Sequence, residues 1–104
     1  MIVQRLTVTV ESFKDEEFKQ LFLDEKQVVE AAGLKHVTKR LYKSFIGAAP
    51  RDTWVVENEF EDLADREQWW AAWLALETTP EFGRRWRELL TSQMVDEVWF
   101  VEEV

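Results

Sequence analysis

The stretch "TWVVENEFEDLADREQWW", Thr53 to Trp70, changes its period halfway along. As far as Phe60 it alternates, with Trp54, Val56 and Phe60 on one side and Val55, Glu57 and Glu59 on the other. A two-residue period carried by β-branched and aromatic residues reads as a strand buried on one face. Asp62 and Asp65 then stand where a helix begins, since carboxylates there meet free backbone amides and the positive end of the helix dipole. From there to about Leu76 the period is helical: Trp69, Trp73 and Leu76 cluster on the wheel, with Leu63, Trp70 and Leu74 to one side. This apolar arc is wider than one helix–sheet contact needs.

Working outward, "TTPEF" opens a second helical piece, with Thr79 as N-cap, Pro80 at the first helical position and Glu81 just inside. Phe82, Trp86, Leu89 and Leu90 form its buried stripe, and "VDEVWFVEEV" closes the chain as a last strand. Upstream, "IVQRLTVTVE" alternates Ile2, Leu6, Val8 and Val10 against Arg5, Thr7 and Thr9. A helix is expected from Ser12 to Ala32, on Phe18, Leu21, Phe22, Val28, Val29 and Ala32. Ser12 and Asp15 would cap it, and Gly33 would take the left-handed position after it. A strand from His36 to Ile46 sets Val37, Leu41 and Phe45 against Thr38, Arg40, Tyr42 and Ser44, and "GAAPRD" is turn chemistry.

The order is β-α-β-β-α-β, the ferredoxin-like α+β arrangement. It predicts a four-stranded antiparallel sheet in the order 4-1-3-2 with the helices on one face, in a single domain spanning residues 1–104.

The composition narrows the roles. A net charge of −8 opposes nucleic-acid binding, which needs a concentrated basic patch. The basic stretch "KHVTKRLYK" reads better as a strand with its lysines on one side. No cysteine is present, so thiol catalysis, disulfides and iron–sulfur ligation are excluded. No apolar run reaches the roughly 18 residues of a membrane span, and the N-terminus lacks a signal peptide's order of residues. The expectation is a cytoplasmic chain without membrane or nucleic-acid partners.

Two helices cover one side of such a sheet. The other side should show Val3, Arg5, Thr7, Thr9, His36, Arg40, Tyr42, Val55, Glu57 and Glu59, with Trp99 or Phe100 from the last strand. In the expected strand order Glu57 and Glu59 lie between Arg5 and Arg40, and opposite charges on neighbouring strands stabilise by about 0.2–1 kcal/mol per pair. Apolar and aromatic residues beside these pairs mark a surface that meets a partner.

The stretch "VVENEFEDLADREQWWAAWLALETTPEFGRRWREL", Val55 to Leu89, resembles one recurrent in the NIPSNAP family and the antibiotic-biosynthesis monooxygenase-like proteins. "EFEDLADRE" is closest to the NIPSNAP pattern. The resemblance implies the dimeric α+β barrel superfamily, in which two ferredoxin-like subunits press their open sheet faces together. It therefore implies a homodimer.

That superfamily includes haem-degrading members with an asparagine on the first strand and a histidine on the helix. Here the first strand offers Gln4, Arg5 and Thr7, and the only histidine is His36. A haem role is disfavoured, and no cofactor is expected. The carboxylates of "ENEFEDLAD" are accounted for as strand charges and helix caps, so no metal site is expected either.

The candidate ligand-binding residues are Arg5, Arg40, Tyr42, Glu57, Glu59 and Trp99 on the open face. Most of the tryptophan bulk reads as core, and one edge tryptophan, Trp69 or Trp70, joins them at an opening between helix and sheet where a flat apolar ligand could stack. The expected role is binding a small hydrophobic or aromatic molecule, or acting as a structural partner. The alternative is a cofactor-independent monooxygenase acting on an aromatic metabolite, with an arginine stabilising the substrate anion.

Overall fold

The computed structural model describes residues 1–104. Its elements are β1 (Ile2–Thr9), α1 (Asp15–Ala31), β2 (Lys39–Lys43), β3 (Thr53–Phe60), α2 (Leu63–Leu74), α3 (Thr79–Leu89) and β4 (Val95–Phe100). The strands form one antiparallel sheet in the order β2-β3-β1-β4, which is the expected ferredoxin-like topology. No helix is long and apolar enough to cross a membrane.

The helices cover the face that carries Ile2, Leu6 and Val8 of β1 with Trp54, Val56 and Phe60 of β3. These residues form two separate clusters. One joins Ile2 and Phe60 to Leu21 and Val29 of α1, Trp69 and Trp73 of α2 and Phe82 of α3. The other joins Leu6, Val8, Val10, Trp54 and Val56 to Phe18 and Phe22. Trp86 and Leu89 of α3 pack against both.

Between the clusters the apolar alternation fails in two strands at the same rung. Gln4 is paired with Asn58 in the register, with Ile2 opposite Phe60 on one side and Leu6 opposite Val56 on the other. Lys39 of β2 continues the rung beyond Asn58, and Glu25 of α1 bonds to Lys39 at 3.1 Å. The core is thus crossed by a polar seam.

Local chemistry explains where the expected boundaries move. Ser12 does not cap α1. Phe13 takes a left-handed φ of 67°, and the Ser12 hydroxyl donates to Asp52 Oδ2 at 2.8 Å, so the residue ties the start of α1 to the β2–β3 connection. Lys14 is the N-cap, without a side-chain bond, and Asp15, Glu16 and Glu17 supply the charge the dipole favours. At the far end Gly33, at φ 70°, donates to Glu30 O while Leu34 donates to Val29 O. Those two bonds make the Schellman closure, which glycine enters without the steric penalty of a Cβ.

The second strand is shorter than its alternation suggested. Pairing starts at Lys39, so His36 stands outside the sheet, and Phe45 after its end is 93% exposed. Helix α3 is capped at Thr78, one residue earlier than expected. Thr79 is instead the first helical residue, and its hydroxyl donates to Trp73 O across the break from α2.

The acidic start of α2 is as the sequence suggested: Asp62 Oδ1 accepts from the Asp65 amide at 2.8 Å. The Asp65 carboxylate in turn accepts from the Glu61 amide at 3.0 Å and from Lys35 Nζ at 2.9 Å. The backbone bond first, and then the lysine, holds Asp65 below the usual carboxylate range. A depressed folded-state value stabilises above the unfolded-state value and is lost as pH falls through the folded one. Asp65→Ala should therefore lower the melting temperature at pH 7, with the gap to wild type narrowing below about pH 4. A gap that stays constant from pH 7 to pH 3 would show that the charge contributes nothing.

Candidate functional site

The open face brings six of the candidates together. Antiparallel register places Glu97, Arg5, Glu57 and Arg40 side by side across all four strands, flanked by one row with Val95, Thr7, Val55 and Tyr42 and another with Trp99, Val3 and Glu59. Glu57 is the hub. Its carboxylate accepts from Arg5 Nε at 2.8 Å, from Arg40 Nη1 at 3.4 Å and from the Tyr42 hydroxyl at 3.3 Å. Although it lies on the uncovered side, Glu57 is only 5% exposed. Arg40 also bonds to Glu59, and that carboxylate holds the guanidinium above its usual value. Both arginines are therefore neutralised by neighbours. Arg5, Thr7, Tyr42, Val55, Glu97 and Trp99 outline a shallow groove of about 240 Å³ above this network.

The other candidates, Trp69 and Trp70, stand on the helix side of the sheet and line a larger cavity. It measures about 520 Å³. Trp69, Trp70 and Trp73 of α2, and Phe82 and Trp86 of α3, form its aromatic walls, and Leu6, Leu74, Leu90 and Met94 complete the apolar lining. Trp69 and Trp73 stack at 5.9 Å with planes 11° apart, while Trp70 stands edge-on to Trp69 at 5.2 Å. The unusually wide apolar arc of α2 is explained here. One part packs into the core, and the rest faces a space the protein does not fill. On α3 the cavity-facing residues are Thr79, Phe82, Gly83, Trp86 and Arg87, so a glycine sits in the middle of the wall.

The polar seam reaches this cavity through Asn58, Lys39 and Glu25. Gln4 fixes one wall: its Oε1 accepts from Trp70 Nε1 at 2.9 Å, and its Nε2 donates to Asp96 Oδ1 at 2.9 Å. Trp69 is held at its other edge, its Nε1 donating to Lys35 O at 3.1 Å. Asn58 is 2% exposed, and its Oδ1 has no hydrogen-bond partner.

Sequence reasoning passed over Gln4, Asn58, Glu25 and Lys39. The available signal was a polar residue at a core-facing position in each of two strands.

No protein-family model and no curated protein matches the sequence. Solved structures do. A NIPSNAP-like domain protein from Burkholderia xenovorans is 24% identical with a TM-score of 0.75, over 97% of this chain and 84% of its own. A NIPSNAP domain protein from the same organism is 16% identical with a TM-score of 0.76, over 98% and 95% of the two chains. A candidate antibiotic biosynthesis monooxygenase from Caulobacter crescentus is 18% identical with a TM-score of 0.71, over 98% and 90%. At these identities the likeness is one of fold, and it is the fold to which the Val55–Leu89 stretch pointed: the chain is built as NIPSNAP and antibiotic biosynthesis monooxygenase-like proteins are.

Proposed function

We propose that this protein binds a small, flat hydrophobic or aromatic molecule in the cavity beneath α2 and α3, as a cytoplasmic homodimer joined through its open sheet faces. One observation carries the reading: an aromatic-walled space of about 520 Å³ inside a chain of 104 residues. That volume falls within the roughly 300–1,000 Å³ of small-molecule sites, which are mostly apolar with a few placed polar groups. The cavity's rim is open to solvent at Leu74 and Met94, so a molecule can enter and cover the aromatic walls. The dimer is supported by the other face, where Tyr42, Val95 and Trp99 are exposed beside the half-exposed Arg5 and Arg40, whose charges Glu57 and Glu59 offset.

Native mass spectrometry of the purified protein, repeated under denaturing conditions, tests both parts. A dimer with extra mass that leaves on denaturation is the expected result. A monomer would refute the assembly. For the cavity itself, titration with naphthalene should quench tryptophan fluorescence in the wild type. Gly83→Leu would fill the space from the α3 wall, where an added Cβ meets only Arg87 Nη1 at 3.4 Å. We expect it to weaken naphthalene binding at least about tenfold, or 1.4 kcal/mol. The melting temperature should hold, because replacing a helical glycine gains about 1 kcal/mol. Unchanged binding would place the ligand elsewhere.

The fold shared with a candidate monooxygenase supports a second reading, cofactor-independent oxygenation of an aromatic metabolite. The engagement of Arg5 and Arg40 by Glu57 and Glu59 weighs against those arginines as its anion-stabilising groups. Dioxygen uptake on adding 2-naphthol would favour the enzyme, and binding without uptake would favour the carrier. A clean dimer that binds nothing would leave a structural role.

A further inference from the structure

The three arginines of α3 are partnered unequally. Arg84 bonds to Glu81 on one side and Glu88 on the other, and Arg85 bonds to Asp24 of α1 at 2.8 Å. Arg87 makes no ion pair and no side-chain hydrogen bond, although the chain holds 21 acidic residues against 13 Lys and Arg. The sequence itself denies it a helix partner: the positions three and four away hold Gly83, Arg84, Leu90 and Thr91, none of them acidic. A cation in the last turn suits the helix dipole, which accounts for the charge but not for where it lies. The guanidinium folds back over the glycine, its Nη1 3.4 Å from the position a Cβ on Gly83 would take, on the wall of the aromatic cavity. Glu25 and Lys39, the other charged residues of that lining, bond to each other at 3.1 Å and cancel. The cavity therefore carries one unmatched positive charge in a chain whose net charge is −8.

We propose that the cavity takes an aromatic acid, its rings against the tryptophan walls and its carboxylate on the Arg87 guanidinium. This rests on the reading of the cavity as a binding site and adds the chemical class of what it binds. A guanidinium presents its N–H donors in a planar fork that meets both oxygens of a carboxylate. Arg87 is exposed, so those donors are open to a ligand at the rim. Trp70, Trp73 and Trp86 would shield one side of the pair from water and strengthen it beyond an ordinary surface pair. The chain's overall charge disfavours anions, so a preference for one has to come from a local cation.

Two probes test this by calorimetric titration at about pH 7: 2-naphthoate, and 2-naphthamide, which keeps the rings and the outline but carries no charge. Wild type should bind 2-naphthoate about tenfold more tightly, the gain of one charge-assisted pair. In Arg87→Gln the ratio should fall to about one or below it, while 2-naphthamide affinity stays within about threefold. The melting temperature of that variant should stay within about 4 °C of wild type, because the side chain is exposed. Arg87→Lys keeps the charge without the fork and should retain part of the preference. Lys26→Gln is the control. Lys26 also lacks an ion pair but lines a smaller space of about 300 Å³ beside α1 and β2, so its loss should leave the ratio unchanged.

Equal wild-type affinities, or tighter binding of the amide, would overturn the proposal, as would a preference that survives in Arg87→Gln. A preference abolished by Lys26→Gln would overturn it too, by moving the acid to the smaller space. Naphthalene binding that is lost in Gly83→Leu would leave the cavity reading standing in each case. If neither probe nor naphthalene binds the wild type, the cavity reading falls and this inference with it.

Discussion

Phe18→Ala should lower the melting temperature by at least about 12 °C. Phe18 is 0% exposed, on the buried stripe of α1. Its ring meets Phe22 and Trp54 at centroid distances of 5.1 Å and Trp86 at 5.6 Å, and Phe22 and Trp86 close the group at 5.3 Å. Removing it takes one member from a four-ring cluster in which it meets Phe22 and Trp86 edge-on and Trp54 at a tilt. The transfer and cavity contributions together cost about 3–5 kcal/mol for a buried phenylalanine. Total stability at this length is about 5–15 kcal/mol, and each 1 kcal/mol moves the midpoint by about 4–8 °C. The cluster also sits where α1, β3 and α3 meet, so no neighbour can collapse into the gap without moving an element. Circular dichroism during heating measures the effect. A fall under about 4 °C would mean that the site relaxes and that the two halves of the core are less tightly packed than the ring distances indicate.

Glu57→Lys should act on stability and assembly together. The carboxylate is buried and accepts from Arg5, Arg40 and Tyr42, so the lysine would place a third cation between two others, leave the Arg5 and Tyr42 donors without their acceptor and leave Arg40 with Glu59 alone. Breaking a buried pair costs about 3–5 kcal/mol, and an exposed one under about 1 kcal/mol. The arginine side chains are half exposed, at 48% and 49%, which puts the expected loss near 2–3 kcal/mol. In the proposed homodimer this row lies near the middle of the contact, where unpaired like charges oppose docking. Sedimentation velocity should show the variant as a monomer at concentrations where the wild type is a dimer. A variant that melts early yet stays dimeric would place the dimer contact on another surface. Glu57→Gln, which keeps the shape and removes the charge, should fall between the two proteins.

The two faces of the sheet were unequally legible. Strand order follows from the pattern of elements, and once β3 is placed between β1 and β2 the convergence of Arg5 and Arg40 on Glu57 follows from alternation alone. The caps of α2 were readable because Asp62 has a nearby amide to accept from and nothing else to bond. Ser12 shows the opposite case. Its local context is that of a cap, but Asp52, forty residues away, takes the hydroxyl, and no local rule contains that contact. The strand reading of Phe45 and Ile46 failed similarly: both have strand-forming side chains, but β3 begins pairing only at Thr53 and its partner strand ends at Lys43. The cavity was half visible. An apolar arc too wide for one contact signalled surplus aromatic surface on α2, yet its shape depends on how α3 is set against the sheet. Gln4 and Asn58 were hidden because each, taken in its own strand, looks like a single lapse in alternation. Their meaning appears only in the register that pairs them.

That register has a consequence for folding. Sliding β1 along β3 by one residue would turn every side chain to the wrong face, which the buried face forbids. A slide by two residues keeps the faces correct, and an unbroken run of valine and leucine would tolerate it. The Gln4–Asn58 rung does not. Two residues one way would set Gln4 against Val56 and Asn58 against Ile2, and two the other way would set Gln4 against Phe60 and Asn58 against Leu6. Either slip carries Gln4 away from Trp70 Nε1 and strands its amide among hydrocarbon side chains, at about 1–3 kcal/mol for the unpaired group. The polar seam is a key cut into the strands, and only one alignment of the sheet turns it.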